Sequence, residues 1–143
     1  MTFSAKFIVV VAYIIVRDGS VLVLRRSPLK DHAPGEWETG SGRVEYGEAP
    51  EDAVRREVRE ETGLQVEIVA PVDTFHFYGG VDREETVGLT FWCRHVGGEA
   101  VLSDEHDRAQ WVAFDRAVVL LRNNGAARAV EIIARNVGAL GPT

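Results

Sequence analysis

The chain has 143 residues, 45% hydrophobic and 27% charged, and carries 16 Lys and Arg against 22 Asp and Glu, for a formal net charge of −6. That length suits a single domain over 1–143, and the balance sets aside disordered, collagen-like and membrane-spanning classes. The acidic excess argues against nucleic acid or an anionic membrane as partners, and Cys93, the only cysteine, excludes an internal disulfide and a cysteine zinc site.

In chain order, Phe7 to Val16 is a ten-residue apolar run rich in Val and Ile. It is too short to span a bilayer, and no small-residue cleavage site follows it, so it is read as a strand and not as a signal peptide. Arg17-Asp18-Gly19-Ser20 is a hairpin turn, and Val21 to Leu24 is the returning strand. Ser27 to Glu36, with Pro28, Pro34 and Gly35, reads as a loop. Ala49 to Thr62 reads as a helix: Pro50 suits its first turn, Glu51 and Asp52 complement the dipole, and Gly63 closes it. Leu64 to Val72, Asp73 to Tyr78 and Thr86 to Val96 are β-rich stretches separated by Pro71 and by Gly79-Gly80. Ala109 to Phe114 is a short strand, and Asp115 caps a short helix over Arg116 to Arg122. Asn123-Asn124-Gly125 breaks that helix, and a last one over about Ala126 to Val137 aligns Ala126, Ala129, Val130 and Ile133 on one face. Strands outnumber helices without alternating with them. The class is α+β, a mixed sheet flanked by helices.

The segment with chemical content is Gly42 to Leu64. On its helix Glu57, Glu60 and Glu61 stand at i, i+3 and i+4 and share a face, where like charges each cost roughly 0.2–0.5 kcal/mol. Val54 and Val58 form the neighbouring apolar stripe, so the acidic ridge borders the buried side. Clustered carboxylates beside a core need protons, arginines or a cation, and hard oxygen ligands suit Mg²⁺ or Mn²⁺. Arg56 reaches Glu60 at i+4 and can neutralise part of the ridge. Read from the helix alone, a solvated acidic face threaded with ion pairs is an equally ordinary outcome. Gly40-Ser41-Gly42 adds a turn through which backbone can approach a ligand, and Gly47-Glu48 places a carboxylate at the helix entrance.

Gly42, five residues, Glu48, seven residues, then Arg56-Glu57-Val58-Arg59-Glu60-Glu61-Thr62-Gly63-Leu64 resembles the Nudix box, with nine specified positions filled over residues 42–64. The opening hairpin, Arg25-Arg26 at its end, Trp37-Glu38 before the box and Ala109-Gln110-Trp111-Val112 before a C-terminal helix extend the resemblance to MutT-like pyrophosphohydrolases over roughly residues 7–137. It implies a Nudix-type mixed β-sheet sandwiched between helices. It also implies Mg²⁺-dependent (or Mn²⁺-dependent) hydrolysis of a nucleoside diphosphate linked to another group, by water attack. Substrates would be a nucleoside triphosphate, a dinucleoside polyphosphate or a pterin triphosphate. A nucleotide-binding regulator on the same fold is the alternative. A homodimer is among the assemblies it implies, and the cytoplasm the expected location.

By that resemblance Glu57, Glu60 and Glu61 are metal ligands together with the Gly42 carbonyl, and Glu57 is a candidate base. Arg56 orients the ridge. Glu48 either binds metal or fixes the loop–helix junction. A further acid from a later loop often completes such a site, and Glu105, in Ser103-Asp104-Glu105-His106, is assigned that part. Asp82, Glu84 and Glu85 form a competing acidic loop. Arg25, Arg26, Arg43 and Trp37 are candidate substrate contacts, since arginine suits phosphate oxygens. His32, His76, His95 and His106 show no HxxxH spacing, so each is read as structural or exposed, and not as a metal ligand. Phe75, Phe77 and Tyr78 are read as core or edge aromatics. One departure is Gly40-Ser41-Gly42 where many members have Pro-Gly-Gly, a change shared with some pterin- and deoxynucleoside-triphosphate-cleaving members.

Overall fold

The computed structural model describes residues 6–30 and 32–138, so the ends of the 1–143 span lie outside the described residues. The opening hairpin forms as the turn chemistry demands. β1 (Ile8–Arg17) returns as β2 (Ser20–Arg26) through Asp18 and Gly19, both at positive φ (48° and 79°), the geometry whose twist matches the flanking strands. After the loop come two short strands, β3 (Trp37–Glu38) and β4 (Ser41–Arg43), and helix α1 (Pro50–Thr62). β5 (Gln65–Gly79), β6 (Glu84–Gly97), β7 (His106–Ala113), α2 (Phe114–Leu120) and α3 (Ala126–Asn136) complete the chain.

The sheet runs β3-β2-β1-β6-β5, with β4 added to β1 and β7 to β2. Only the central β1–β6 pair is parallel, from Ile8 opposite Thr86 to Val16 opposite Arg94. Beside it the sheet splits. β2 touches β1 only near the turn, at Val16–Val21 and Arg17–Ser20, then diverges to pair with β7 and β3. The first half of β1 pairs instead with β4, Val11 standing opposite Gly42. The Glu38–Ser41 connection crosses this split, where the Tyr13 N–H donates to the Gly40 carbonyl at 3.1 Å.

Strand alternation distributes the core to both faces. Tyr13, Ile15, Leu22 and Leu24 pack with Ala53, Val54 and Val58 of α1, while Ile14, Val21 and Val23 pack with Phe114 of α2, Leu121 at its C-terminal cap, and Val130 and Ile133 of α3. The result is the α+β sandwich expected. Two details differ. The residues on either side of Pro71 form one strand, β5, which accommodates the proline because it is an edge strand with register shifts at Ile68/Ala70 and Pro71/Asp73. α2 starts one residue before Asp115, anchored by buried Phe114, and its N-terminus carries no side-chain cap. Cys93 is buried on the α1 face, and burial pushes its thiol up to about 12. Among the described residues no helix is long and apolar enough to cross a membrane.

Gly63 ends α1 at φ 71°, its N–H donating to the Arg59 carbonyl, and a Cβ there would lie 2.9 Å from the Glu99 carbonyl oxygen. Gly63→Ala therefore adds left-handed strain to a close contact, and should lower stability by about 1–2 kcal/mol. A urea midpoint unchanged from wild type would show that this terminator is dispensable.

Candidate functional site

Two packed elements define the site. α1 lies on the sheet with Ala53, Val54 and Val58 buried, and the same rotation that buries Val58 turns Glu61 inward, leaving it 4% exposed. β4 passes beneath Glu57, and a Cβ on Gly42 would fall 2.0 Å from the Glu57 carboxyl carbon. The absence of a side chain at 42 is thus what admits that carboxylate.

Arg56 organises the exposed half of the ridge. Its Nε and Nη2 donate to the two oxygens of Glu48 at 2.8 and 2.9 Å, Nη1 to Glu57 Oε1 at 2.7 Å and to Glu60 Oε2 at 3.4 Å, and Nη2 also to the Arg43 carbonyl at 2.9 Å. One guanidinium therefore ties the loop to the helix and fixes the spread of the carboxylates. The Arg56 hydrogen bond, with help from the Glu45 N–H, holds Glu48 down at about 2. So occupied, Glu48 forms the loop–helix junction.

Among the described residues the buried half has no such arginine. Glu61 Oε1 is without a hydrogen-bond partner among the described residues, as are the Tyr13 hydroxyl and His106 Nδ1. His106, at the start of β7, is buried. Its Nε2 meets Glu38 Oε1 at 2.8 Å, and its Nδ1 lies 3.9 Å from Glu61 Oε2. Arg26 Nη1 approaches Glu38 Oε1 at 3.2 Å and Nε donates to the His32 carbonyl. Glu105 stands at the mouth, half exposed, its Oε1 3.9 Å from Lys30 Nζ. Burial first, then the charges of Glu105 and Glu57, push Glu61 up to about 9. Burial, followed by Glu61, Glu57 and Glu38, likewise raises the Tyr13 hydroxyl.

The structure thus brings Gly42, Glu57, Glu61 and Glu105 together, with Glu60 on the outer edge of the ridge. It does not bring Arg25 or Trp37 there. These residues are paired across β2 and β3, and their side chains alternate to the face opposite Leu24 and Glu38. Trp37 packs against the α2–α3 core, and Arg25 makes a two-pronged pair with Asp107 at 2.8 and 2.7 Å. Arg26 remains on the site's side, engaged with Glu38. The Arg43 guanidinium turns outward to Glu84, 3.6 Å away. In the competing acidic loop Glu85 is engaged by His76 and Tyr78. Tyr13, Glu38 and His106 were absent from the sequence-based site. A lone phenol inside an apolar strand and a Glu-His pair beside a strand were the available signals.

Beside the site, a cleft of about 360 Å³ opens between the split sheet and the start of α3. Glu38, Gly40, Ser41, Asp73, Phe75 and Asn124 contribute to its walls, so it shares the Gly40–Ser41 turn with the carboxylate cluster.

The NUDIX domain family model matches residues 6–135. The chain belongs to the NUDIX domain family. Its curated relatives include a MutT-like protein of Streptomyces ambofaciens, 39% identical over 73% of this chain and 63% of that protein. They also include the NAD-capped RNA hydrolase NudC of Pseudomonas aeruginosa, 33% identical over 90% of this chain and 45% of that one. The chain therefore spans between about half and two thirds of the length of these relatives. Among solved structures, the MutT protein from Methanosarcina mazei Go1 superposes with a TM-score of 0.73 at 25% identity, covering 94% of this chain and 98% of that one. Residues 42–64, within the matched span, supply Gly42, Glu57, Glu60 and Glu61 of the carboxylate ridge.

The raised Glu61 pKa has a consequence for stability. The folded protein holds this proton more tightly than an unfolded chain with the ordinary value of 4.5. Its stabilising contribution is complete below about pH 4.5 and is lost as pH rises toward 9. In chelator, Glu61→Gln should reduce the stability lost between about pH 5 and pH 8.5 by on the order of 1–3 kcal/mol. Parallel losses in both proteins, followed by urea unfolding, would contradict the burial of this carboxylate.

Proposed function

We propose that this chain is a divalent-cation-dependent pyrophosphohydrolase that cleaves the diphosphate of a nucleoside diphosphate linked to a second group, with water as nucleophile. The observation that carries this reading is that Glu57 packs against Gly42 of β4 while Glu61 gathers with Glu105, one buried Glu61 oxygen being left unpartnered among the described residues. Family membership supports the reaction class, as do relatives named as a MutT-like protein and an NAD-capped RNA hydrolase.

The donor set fits a divalent ion. Glu57, Glu60, Glu61 and the Gly42 carbonyl offer hard oxygens, and nothing cationic reaches the unpartnered Glu61 oxygen among the described residues. Mg²⁺ is the first choice and Mn²⁺ the second. When bound, such an ion neutralises the diphosphate and acidifies water. The protein's own residues do the rest. Arg56 Nη1 holds Glu57 and Glu60 at a fixed spacing by donating to both, so the ridge needs no rearrangement on binding. Glu57 accepts the proton of the attacking water on Oε2, since Oε1 is held by Arg56. Arg26, directed by Glu38, borders the phosphates. The base and sugar enter the cleft along the Gly40–Ser41 turn, whose volume lies in the usual range for small-molecule sites.

Glu60→Gln and Glu61→Gln should each lower kcat at least 100-fold while leaving the circular dichroism spectrum intact, as loss of an ion's ligand predicts (on the order of 3 kcal/mol of barrier). Gly42→Ala, which displaces Glu57, should cost roughly 10-fold or more by the same logic. The deciding assay is phosphate release over nucleoside triphosphates, sugar nucleotides, dinucleoside polyphosphates and NADH, with Mg²⁺, Mn²⁺ or chelator. Turnover of none of these, or turnover that survives chelator, would overturn the assignment.

A further inference from the structure

His106 is a buried imidazole with one nitrogen used and one not. Glu38 is a carboxylate held by Arg26 and can only accept, so Nε2 donates to it across 2.8 Å. In the neutral ring that hydrogen bond places the lone pair on Nδ1. Nδ1 has no partner among the described residues, although the side chain is 1% exposed. It points at Glu61, with 3.9 Å separating it from Oε2, too far for a hydrogen bond. Two donors on one ion, with bonds of about 2.0–2.2 Å, stand no more than about 4.4 Å apart. Glu61 Oε1 is equally unpartnered, and one ligand atom from each of Glu61, Glu105 and His106 lies within 4.8 Å of the others. Glu105 is half exposed and only loosely paired with Lys30, 3.9 Å away, so its carboxylate is free to turn toward an ion. A carboxylate that binds one imidazole nitrogen and leaves the other for an ion is the usual support of a metal-bound histidine. A cavity of about 510 Å³ is bordered by Lys30, Ser103, Asp104, His106 and Asp107, the last four lying on either side of Glu105 in the chain.

From these placements we propose that Glu61, Glu105 and His106 Nδ1 form a mixed carboxylate–imidazole site for a borderline first-row cation such as Mn²⁺, Co²⁺ or Zn²⁺. It lies beside the oxygen-only ridge of Gly42, Glu57 and Glu60. The proposal rests on the hydrolase reading in one respect, since Glu61 belongs to both sets. The nitrogen is what separates them: Mg²⁺ prefers oxygen, whereas imidazole favours the later metals. His106 thereby departs from the structural role its sequence context suggested.

The test is electron spin echo spectroscopy of Mn²⁺ bound to the full chain. Wild type should show ¹⁴N modulation from a directly bound imidazole, and an equal concentration of Mg²⁺ should leave it in place. Glu105→Gln, at an exposed position that does not endanger the fold, should weaken the nitrogen-coupled Mn²⁺ at least 10-fold. His106→Gln should abolish the coupling, and if that variant does not fold, the wild-type and Glu105→Gln spectra still decide. Mn²⁺ bound without ¹⁴N coupling, or no Mn²⁺ bound at all, would overturn the nitrogen site. Mg²⁺-dependent hydrolysis persisting in either case would leave the pyrophosphohydrolase assignment standing. Absence of hydrolysis with ¹⁴N coupling present would do the reverse.

Discussion

A carboxylate facing an apolar sheet is an expensive object, and Glu61 is the constraint around which this protein is arranged. Its burial follows from the helical period, because the face that seats Val54 and Val58 on the sheet also carries position 61 inward. Several kcal/mol of desolvation would follow if the charge stayed unaccompanied. Burial favours the protonated form of the group. A divalent ion placed beside it would relieve that cost. The same carboxylate is a liability to the fold and an asset to the site, which is the trade expected where stability and function compete.

The remaining charges are sorted by distance from that point. Arg56 attends to the ridge's outer members and leaves Glu61 alone, while Arg26 reaches the inner side only through Glu38 and His106. The split in the sheet is what makes the second route available. Were β2 to follow β1 along its full length, Glu38, Tyr13 and the start of β7 would not surround one volume. The split opens a wedge, the Glu38–Ser41 segment crosses it, and its two sides differ: carboxylates gather on one, and the open cleft lies on the other.

Local chemistry was legible in the chain where it is decided by neighbours in sequence. Asp18-Gly19 announced its turn, Pro50 and Gly63 bounded α1, and the i, i+3, i+4 spacing announced a ridge. The family resemblance added the expectation that this ridge holds a divalent ion. Interactions decided by pairing were not legible. Whether Arg25 or Arg26 faces the site depends on one step of strand alternation, and the registers that put Leu24 beside Glu38 and Arg26 beside His106 are set by strands far apart in the chain. Trp37, plausible beside the box, went to the other face for the same reason. Pro71 looked like a strand boundary because nothing in its neighbourhood says that β5 lies at an edge.

The parallel β1–β6 pair has a bearing on how the molecule is made. Ile8 must find Thr86 across most of the chain, whereas β1–β2 and β5–β6 are each closed by a short turn. Closing a large loop is slow compared with closing a hairpin. The two hairpins can therefore assemble early and independently, and their docking is the step that unites Tyr13 with its surroundings. On the ribosome that event waits until β6 has emerged, so a nascent chain holding the whole Nudix box still lacks the strand that backs β1.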